Sequence, residues 1–340
     1  MVRILGIFLL LIVVTSLVFS QEKDPKKIIE AAKVFARQGD FNNAILIINR
    51  GLESNKNDLA LLKDLAFYQF LKKDYAAAME TARPFATRKD ADEQAFQVLA
   101  MVYKSLEEYK ECERLYKAAL KKYPRSGVLH NEYGELLWLE KQFNEAVKYW
   151  EKGIQLDPNY PGNYYHAARY YYMSTDKIWG LLYGEIFINL ESFTERTIEV
   201  KGMLNEGYKK LFIDKDLTKN QNTRNEFTRA CLETFQPLSS MVANGIFPES
   251  LTALRTRFNL DWASRHASRF PYRLFEHHKQ LLRMGLFSAY DQWIFGSVSD
   301  LQSYESWVKA HPEEQAEFQK LQQNRLFKLP EGQYYQDLPK

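Results

Sequence analysis

Residues 93–126, EQAFQVLAMVYKSLEEYKECERLYKAALKKYPRS, and the stretch that follows, 127–160, GVLHNEYGELLWLEKQFNEAVKYWEKGIQLDPNY, carry the reading that decides the fold. Laid over one another they match in character at Ala100 and Gly134, Tyr103 and Leu137, Tyr109 and Phe143, and Cys112 and Ala146. The match continues at Tyr116 and Trp150, Ala119 and Gly153, and Pro124 and Pro158, every pair 34 residues apart. Self-similarity at a fixed period of this length marks one supersecondary unit used repeatedly. The apolar positions inside each unit recur at helical spacing, which predicts two antiparallel helices joined by a short turn. The small residues fall where those helices cross, because Ala, Gly or Cys lets two backbones approach closely.

The frame extends towards the N-terminus. Phe41 and Tyr75 precede Tyr109 at the same interval of 34, with Ala44 and Ala78 three residues on and Ala32 and Ala66 nine residues before. Four units follow, 25–58, 59–92, 93–126 and 127–160, the first with helices expected near 26–38 and 41–54. Lys56 and Asp90 stand where prolines close the later units, and Phe85 occupies a small-residue position. Beyond 160 the pattern weakens. Tyr164, Ala168 and Tyr171 fit a first helix and Gly180 the small position, but Lys177 stands where an aromatic is due. Residues 161–200 are expected to form a degenerate fifth unit, as terminal repeats do when they pack against something other than a repeat.

The series Ala100, Tyr103, Tyr109, Cys112, Tyr116, Ala119 and Pro124, repeated from Gly134 to Pro158, resembles the tetratricopeptide repeat (TPR) family. The resemblance implies an all-α fold: a TPR α-solenoid, a right-handed superhelix of helix hairpins, followed here by an irregular α-helical C-terminal domain over 201–340. It also implies a protein or peptide partner held on a concave face lined by the first helix of each unit. In this register the exposed groove positions are Lys33 and Arg37, then Lys63, Phe67 and Phe70, then Gln97, Met101 and Lys104. Asn131, Glu135 and Trp138 continue the series, and Tyr165, Arg169 and Tyr172 end it. Aromatics flanked by amides and bases suit a peptide, whose main chain needs hydrogen bonds and whose side chains need apolar pockets. Trp138 exposed beside Phe67 and Phe70 would be costly without a ligand or a cover from the chain itself.

The second half is as rich in aromatics as the first, so it is expected to fold, with helix breaks near 214–222, 237–248, 296–299 and 328–333. Thr223 with Glu226 and Ser299 with Gln302 have capping-box spacing and predict helix starts. The segment YDQWIFG at 290–296, with Trp307, His311-Pro312-Glu313 and Phe318, is similar to the C-terminal region of uncharacterised exported repeat proteins of Gram-negative bacteria. That likeness implies an envelope setting and no activity.

Composition narrows the partners. Lys and Arg number 46 against 43 Asp and Glu, a net charge of +3, too small for the concentrated basic surface that a nucleic-acid partner requires. Cys112 and Cys231 are the two cysteines, both on apolar helical faces, which predicts buried thiols and no disulfide framework. Arg3 followed by the apolar run Ile4–Phe19 and a small residue at Ser20 reads as an export signal over residues 1–20. Its expected destination is the periplasm or cell envelope of a Gram-negative bacterium, with secretion, or membrane association through an uncleaved signal, as the alternatives.

Chemistry is sparse. His266, Glu276, His277 and His278 are the nearest approach to a metal cluster, but Leu281 and Leu282 occupy the i+4 positions where helical ligands would stand, so no metal and no cofactor is expected. No HExxH, G-x-S-x-G or phosphate-cradling glycine loop occurs, and the expected function is a non-enzymatic interaction scaffold. The competing reading places a glycan-binding, anion-binding or enzymatic module in 201–340, built on Arg255, Arg257, Arg265, Arg269 and Arg273.

Overall fold

The computed structural model describes residues 24–324 and 326–337, and the export-signal reading of residues 1–20 falls outside them. Among the described residues no strand occurs, and no helix is long and apolar enough to cross a membrane. They form two compact units, one ending at Leu106 and one starting at Glu107, a division that falls between the two helices of the third repeat.

The first unit contains α1 (Pro25–Arg37), α2 (Phe41–Ser54), α3 (Leu59–Leu71), α4 (Tyr75–Ala82, continued by a 3-10 turn at Arg83–Ala86) and α5 (Glu93–Ser105). First helices therefore start at 25, 59 and 93 and second helices at 41 and 75, all in the 34-residue frame. Local chemistry sets these starts. Asp24, Asp58 and Asp92 each stand just before a first helix, where the carboxylate accepts a hydrogen bond from an otherwise unsatisfied amide, of Lys26, Leu61 and Ala95 respectively. The intervening turns place Gly39 and Lys73 in the left-handed region, at φ 78° and 67°. The amides of Asp40 and Asp74 then reach back to the carbonyls of Phe35 and Gln69, the bonding of a Schellman turn. The same two aspartates cap the next helix through the amides of Asn43 and Ala77. Ile28, Ala32, Ala44, Ile48, Leu61, Leu65 and Tyr68 form a contiguous buried cluster. Gly51 lies so close to Ile28 that a Cβ would come within 2.8 Å of its Cγ2. Phe85, at a small-residue position, is buried within the 3-10 turn instead of in an α-helix.

The second unit opens with α6 (Tyr109–Lys122), α7 (Gly127–Leu139), α8 (Phe143–Leu156), α9 (Pro161–Met173), α10 (Lys177–Leu190) and α11 (Glu195–Leu211). The frame persists: α6, α8 and α10 start at 109, 143 and 177, and α7, α9 and α11 at 127, 161 and 195. Glu107 and Lys141 repeat the left-handed turn at φ 58° and 62°. The fifth hairpin loses that turn, its Ser174 being extended after α9, yet α10 begins on schedule at Lys177. Gly180 lets α10 cross α9 closely, since a Cβ there would stand 3.0 Å from the Tyr172 backbone nitrogen. The boundary expected at residue 200 falls inside α11. The turn that ends the fifth hairpin is 191–194, where Arg196 pairs with Glu191 and the Thr197 hydroxyl donates to the Glu191 carbonyl at 2.6 Å.

After α11 come α12 (Glu226–Phe235, continued by a 3-10 turn at Gln236–Val242), α13 (Pro248–Arg265) and α14 (Arg273–Met284). Next are α15 (Phe287–Asp291), a π-helical turn (Gln292–Gly296), α16 (Ser297–Ser299), α17 (Leu301–Ala310) and α18 (Pro312–Asn324). Two sequence expectations need correction here. The caps of α12 and α17 are Asn225 and Asp300, not Thr223 and Ser299, because their side-chain oxygens are the ones that accept from the first-turn amides. The break expected over 296–299 is helical, reached through the π turn, and the chain turns at Asp300. Trp179, Phe227, Phe258, Trp262 and Phe275 build the aromatic core of this half, and Cys112 and Cys231 are both free thiols in the interior.

Candidate functional site

In the second unit α9 packs against both α7 and α11. Asn131, Tyr165 and Glu199 occupy equivalent positions on these first helices, as do Glu135, Arg169 and Met203, and Trp138, Tyr172 and Glu206, each series at intervals of 34. Asn131 Nδ2 donates to Glu135 Oε1 at 2.9 Å, and His166 Nε2 lies 2.9 Å from the same oxygen. The His166 ring stacks on Trp150 at 5.0 Å, and the Trp150 indole N–H donates to the Asn131 carbonyl at 3.1 Å. Gly134 makes this possible, since a Cβ there would overlap the indole. One helix on, the Tyr165 hydroxyl donates to Glu199 Oε2 at 2.7 Å, and Arg169 Nε sits 3.4 Å from Glu199 Oε1. The guanidiniums of Arg169 and Arg196 lie 5.3 and 4.9 Å from the Tyr165 ring centre, within cation–π range. Burial and the Glu199 hydrogen bond push the Tyr165 phenol up. Lys210 Nζ caps the Tyr172 ring at 3.6 Å.

The second-unit residues of the expected groove fall into two hydrogen-bonded clusters, with Trp138 and Tyr172 packed separately, and their exposure differs from expectation. Asn131 and Tyr165 are buried, because neighbouring first helices close over them, whereas Glu135, Arg169 and Tyr172 keep part of their surface. Trp138 is half-buried against Phe143, at 4.6 Å, and Trp150, at 5.6 Å. Those contacts provide the cover that its exposure would have demanded. The helix α11, absent from the expected groove, supplies Glu199. A step of 34 from Tyr165 would have found it.

The first-unit residues behave differently. Lys63 is buried, not exposed: its ammonium donates to Asp92 Oδ2 at 2.5 Å and Gln94 Oε1 at 2.9 Å, tying α3 to the start of α5. Phe67 packs on Tyr68 and Phe70 on Tyr75, at 6.0 and 5.6 Å between rings. Lys33 pairs with Glu30 at 2.7 Å, Arg37 is exposed, and Gln97, Met101 and Lys104 are half-buried on α5.

Two buried polar centres in the second unit escaped the sequence reading. Arg255, on α13, is enclosed and donates to both Glu185 on α10 and Asp291 on α15. His278 Nε2 lies 2.7 Å from Glu185 Oε1, and the Tyr290 hydroxyl donates to the same oxygen at 2.8 Å. Burial alone would raise the Glu185 carboxyl, but Arg255 and His278 hold it low, whereas burial wins at Asp291 and raises it. A cavity of about 20 Å³ beside Glu185 and Arg255 has room for a single water and none for a substrate. The second centre is Glu151 on α8, fully buried, which accepts hydrogen bonds from the Tyr171 and Tyr183 hydroxyls at 2.8 Å each. Burial pushes its carboxyl up to about 7 against the pull of those two donors.

The arginine row is largely engaged within the chain. Besides Arg255, Arg257 pairs with Asp261 at 3.1 Å, Arg269 with Glu226, and Arg273 donates to the Lys328 carbonyl at 3.2 Å. Among the described residues no group of His, Cys, Asp and Glu is arranged to hold a metal ion.

No protein-family profile matches the chain, and no curated protein matches it. Among solved structures it is similar to a thermophilic TPR protein of Thermus thermophilus, at 17% identity and TM-score 0.45, over 53% of this chain and 98% of that one. It is similar too to PilF of Pseudomonas aeruginosa, at 16% identity and TM-score 0.46, over 54% and 84% of the two chains. A third is YrrB, a TPR protein with an unusual peptide-binding site, at 16% identity and TM-score 0.37, over 54% and 93%. The helices of the chain itself, hairpin after hairpin in a 34-residue frame from α1 to α10, make it an all-α protein of TPR-like fold.

Proposed function

We propose that the chain is a non-enzymatic interaction scaffold that holds a peptide segment of a partner protein across the first-helix faces of α7, α9 and α11, in the envelope of a Gram-negative bacterium. The observation that carries this reading is the pair of clusters Asn131–Glu135–His166 and Tyr165–Glu199–Arg169, in which one amide, two carboxylates and a guanidinium lie beside aromatic rings on first helices one repeat apart. Buried Asn131 and Tyr165 brace the cluster, and the partly exposed Glu135, Arg169 and Glu199 offer hydrogen bonds to a peptide main chain while Trp138 and Tyr172 offer apolar contact to its side chains. The signal-like pattern of residues 1–20 supports the envelope setting. A photo-crosslinking amino acid placed in turn at Glu135, Arg169 and, on α8, the exposed Gln155 tests it in intact cells. The same discrete adduct is expected from the first two positions and none from Gln155. Equal labelling at all three positions, or none at Glu135 and Arg169, would refute the groove.

A further inference from the structure

Among the described residues no helix follows α18. Residues 326–337 run across the second unit as an irregular segment, and side chains of the folded body hold it at its main chain. Asn159, in the loop before α9, reads both polar groups of one residue: its Nδ2 donates to the Leu329 carbonyl at 3.0 Å and its Oδ1 accepts from the Leu329 amide at 2.9 Å. Asn225 Nδ2 donates to the Tyr335 carbonyl at 2.7 Å, and the Arg273 amide donates to Gln333 Oε1 at 2.6 Å. Between these grips the side chains sort by pocket. Leu329 is buried. The Tyr335 ring stacks on Phe227 at 4.8 Å and 11°, and its hydroxyl donates to the Pro271 carbonyl at 2.8 Å. Gln336 is buried and donates to the Tyr171 hydroxyl at 2.8 Å, the hydroxyl that in turn donates to Glu151. Lys328, Pro330, Glu331 and Gly332, between the anchors, are exposed.

An element integral to a helical body is joined to it mainly by helix packing. A segment whose main chain is held by side-chain amides at Leu329 and Tyr335, with Phe327, Leu329 and Gln336 buried and Lys328 and Pro330 exposed between them, is held the way a peptide ligand is held. We propose that this channel is a second peptide-binding site, kept closed by the chain's own C-terminal segment. Its partner in trans is an extended peptide bearing an aliphatic residue and, six residues on, an aromatic one followed by an amide, the spacing of Leu329, Tyr335 and Gln336. The site lies apart from the first-helix clusters, being built from the loop before α9, the cap of α12 and the approach to α14, so it stands or falls independently of the function proposed above. Tethering gives the internal segment an effective concentration of order mM, which keeps the channel closed until a better-matched or abundant partner arrives.

The test uses the full chain with a protease site inserted between Asn324 and Leu326, cleaved after folding. A fluorescent peptide of residues 326–337 is then added and its capture followed by anisotropy. The cleaved protein is expected to exchange its segment for the labelled one, and the uncut chain to capture at least about tenfold less. Asn159→Ala in the protein, or Tyr335→Ala in the peptide, is expected to weaken capture about tenfold, the effect of losing a two-hydrogen-bond or a stacking anchor. If the cut segment never exchanges, or the cleaved protein loses its helical circular dichroism, the segment is part of the core and the proposal is overturned. A dimer of the uncut chain that Tyr335→Ala abolishes would assign the channel to a second copy and likewise overturn a foreign peptide.

Discussion

In the unit that ends at Leu106, the buried charge among the described residues is Lys63, and it reaches Asp92 and Gln94 at the rim. In the unit that begins at Glu107, Glu151, Glu185, Arg255, His278 and Asp291 are all enclosed, and Asn163, Asn189 and Asn259 are buried as well. Both units share one 34-residue frame. The difference lies in what their helices meet. A hairpin that meets its own kind needs only complementary size, Ala or Gly against an aromatic, and the frame supplies that automatically. Helices α10 and α11 instead meet α12 to α16, which follow no repeat, and there apolar contact alone would accept many arrangements. Buried ion pairs and hydrogen bonds discriminate among them, because a misplaced partner leaves an unsatisfied polar group in a low dielectric.

The largest expected effect tests that contrast directly. Arg255→Met leaves Glu185 and Asp291 buried without their cation and is expected to cost about 3–5 kcal/mol of stability in urea unfolding. Lys63→Met, whose partner Asp92 is 51% exposed, is expected to cost below about 1 kcal/mol. Similar losses would erase the distinction between the units. Next in size is a pH effect. The Glu151 carboxyl is raised from 4.5 to about 7, so the folded chain binds this proton more tightly than the unfolded chain does. The resulting stability is fully present below about pH 4.5 and is lost as pH rises to about 7, a span worth about 3 kcal/mol. Glu151→Gln is expected to flatten that part of the stability profile and to exceed the parent above pH 7. Parallel profiles for the two proteins would show that the buried carboxylate is not the cause. The smallest effect concerns what the units share. Lys73 and Lys141 sit in the left-handed region that Gly39 fills without strain, so Lys73→Gly and Lys141→Gly are each expected to add about 0.5–1 kcal/mol, read as similar rises in melting temperature. A gain at one turn and a loss at the other would mean that the two turns are not equivalent.

The helix frame was legible because it repeats: Tyr109 and Phe143 predict where α6 and α8 begin, and the same step locates α2, α4 and α10. The capping aspartates at 24, 58 and 92 and the left-handed turns at 39, 73, 107 and 141 obey that step too, but they carry no hydrophobic signal and went unread. The first helices that carry the expected groove positions form where the frame places them, but Lys63, Asn131 and Tyr165 are buried on them, since helical phase does not reveal how far a neighbouring helix closes over a side chain. In the sequence Arg255 is one of five arginines between 255 and 273, with nothing to set it apart from the other four. Its partners stand 70 and 36 residues away with no period connecting them, and only the folded chain brings them together.

The C-terminal segment touches one inter-repeat loop through Glu331 on Arg125 and the next through Leu329 on Asn159, positions a single module apart. That bridging has a genetic consequence. Tandem modules commonly multiply by in-frame duplication, and each added hairpin separates its flanking loops by about 10 Å. From Leu329 to Glu331 the chain advances only about 7 Å. A duplication between 125 and 159 would therefore detach one anchor, whereas a duplication upstream of residue 107 leaves both in place. An added repeat therefore meets these two anchors only where residues 326–337 span the array.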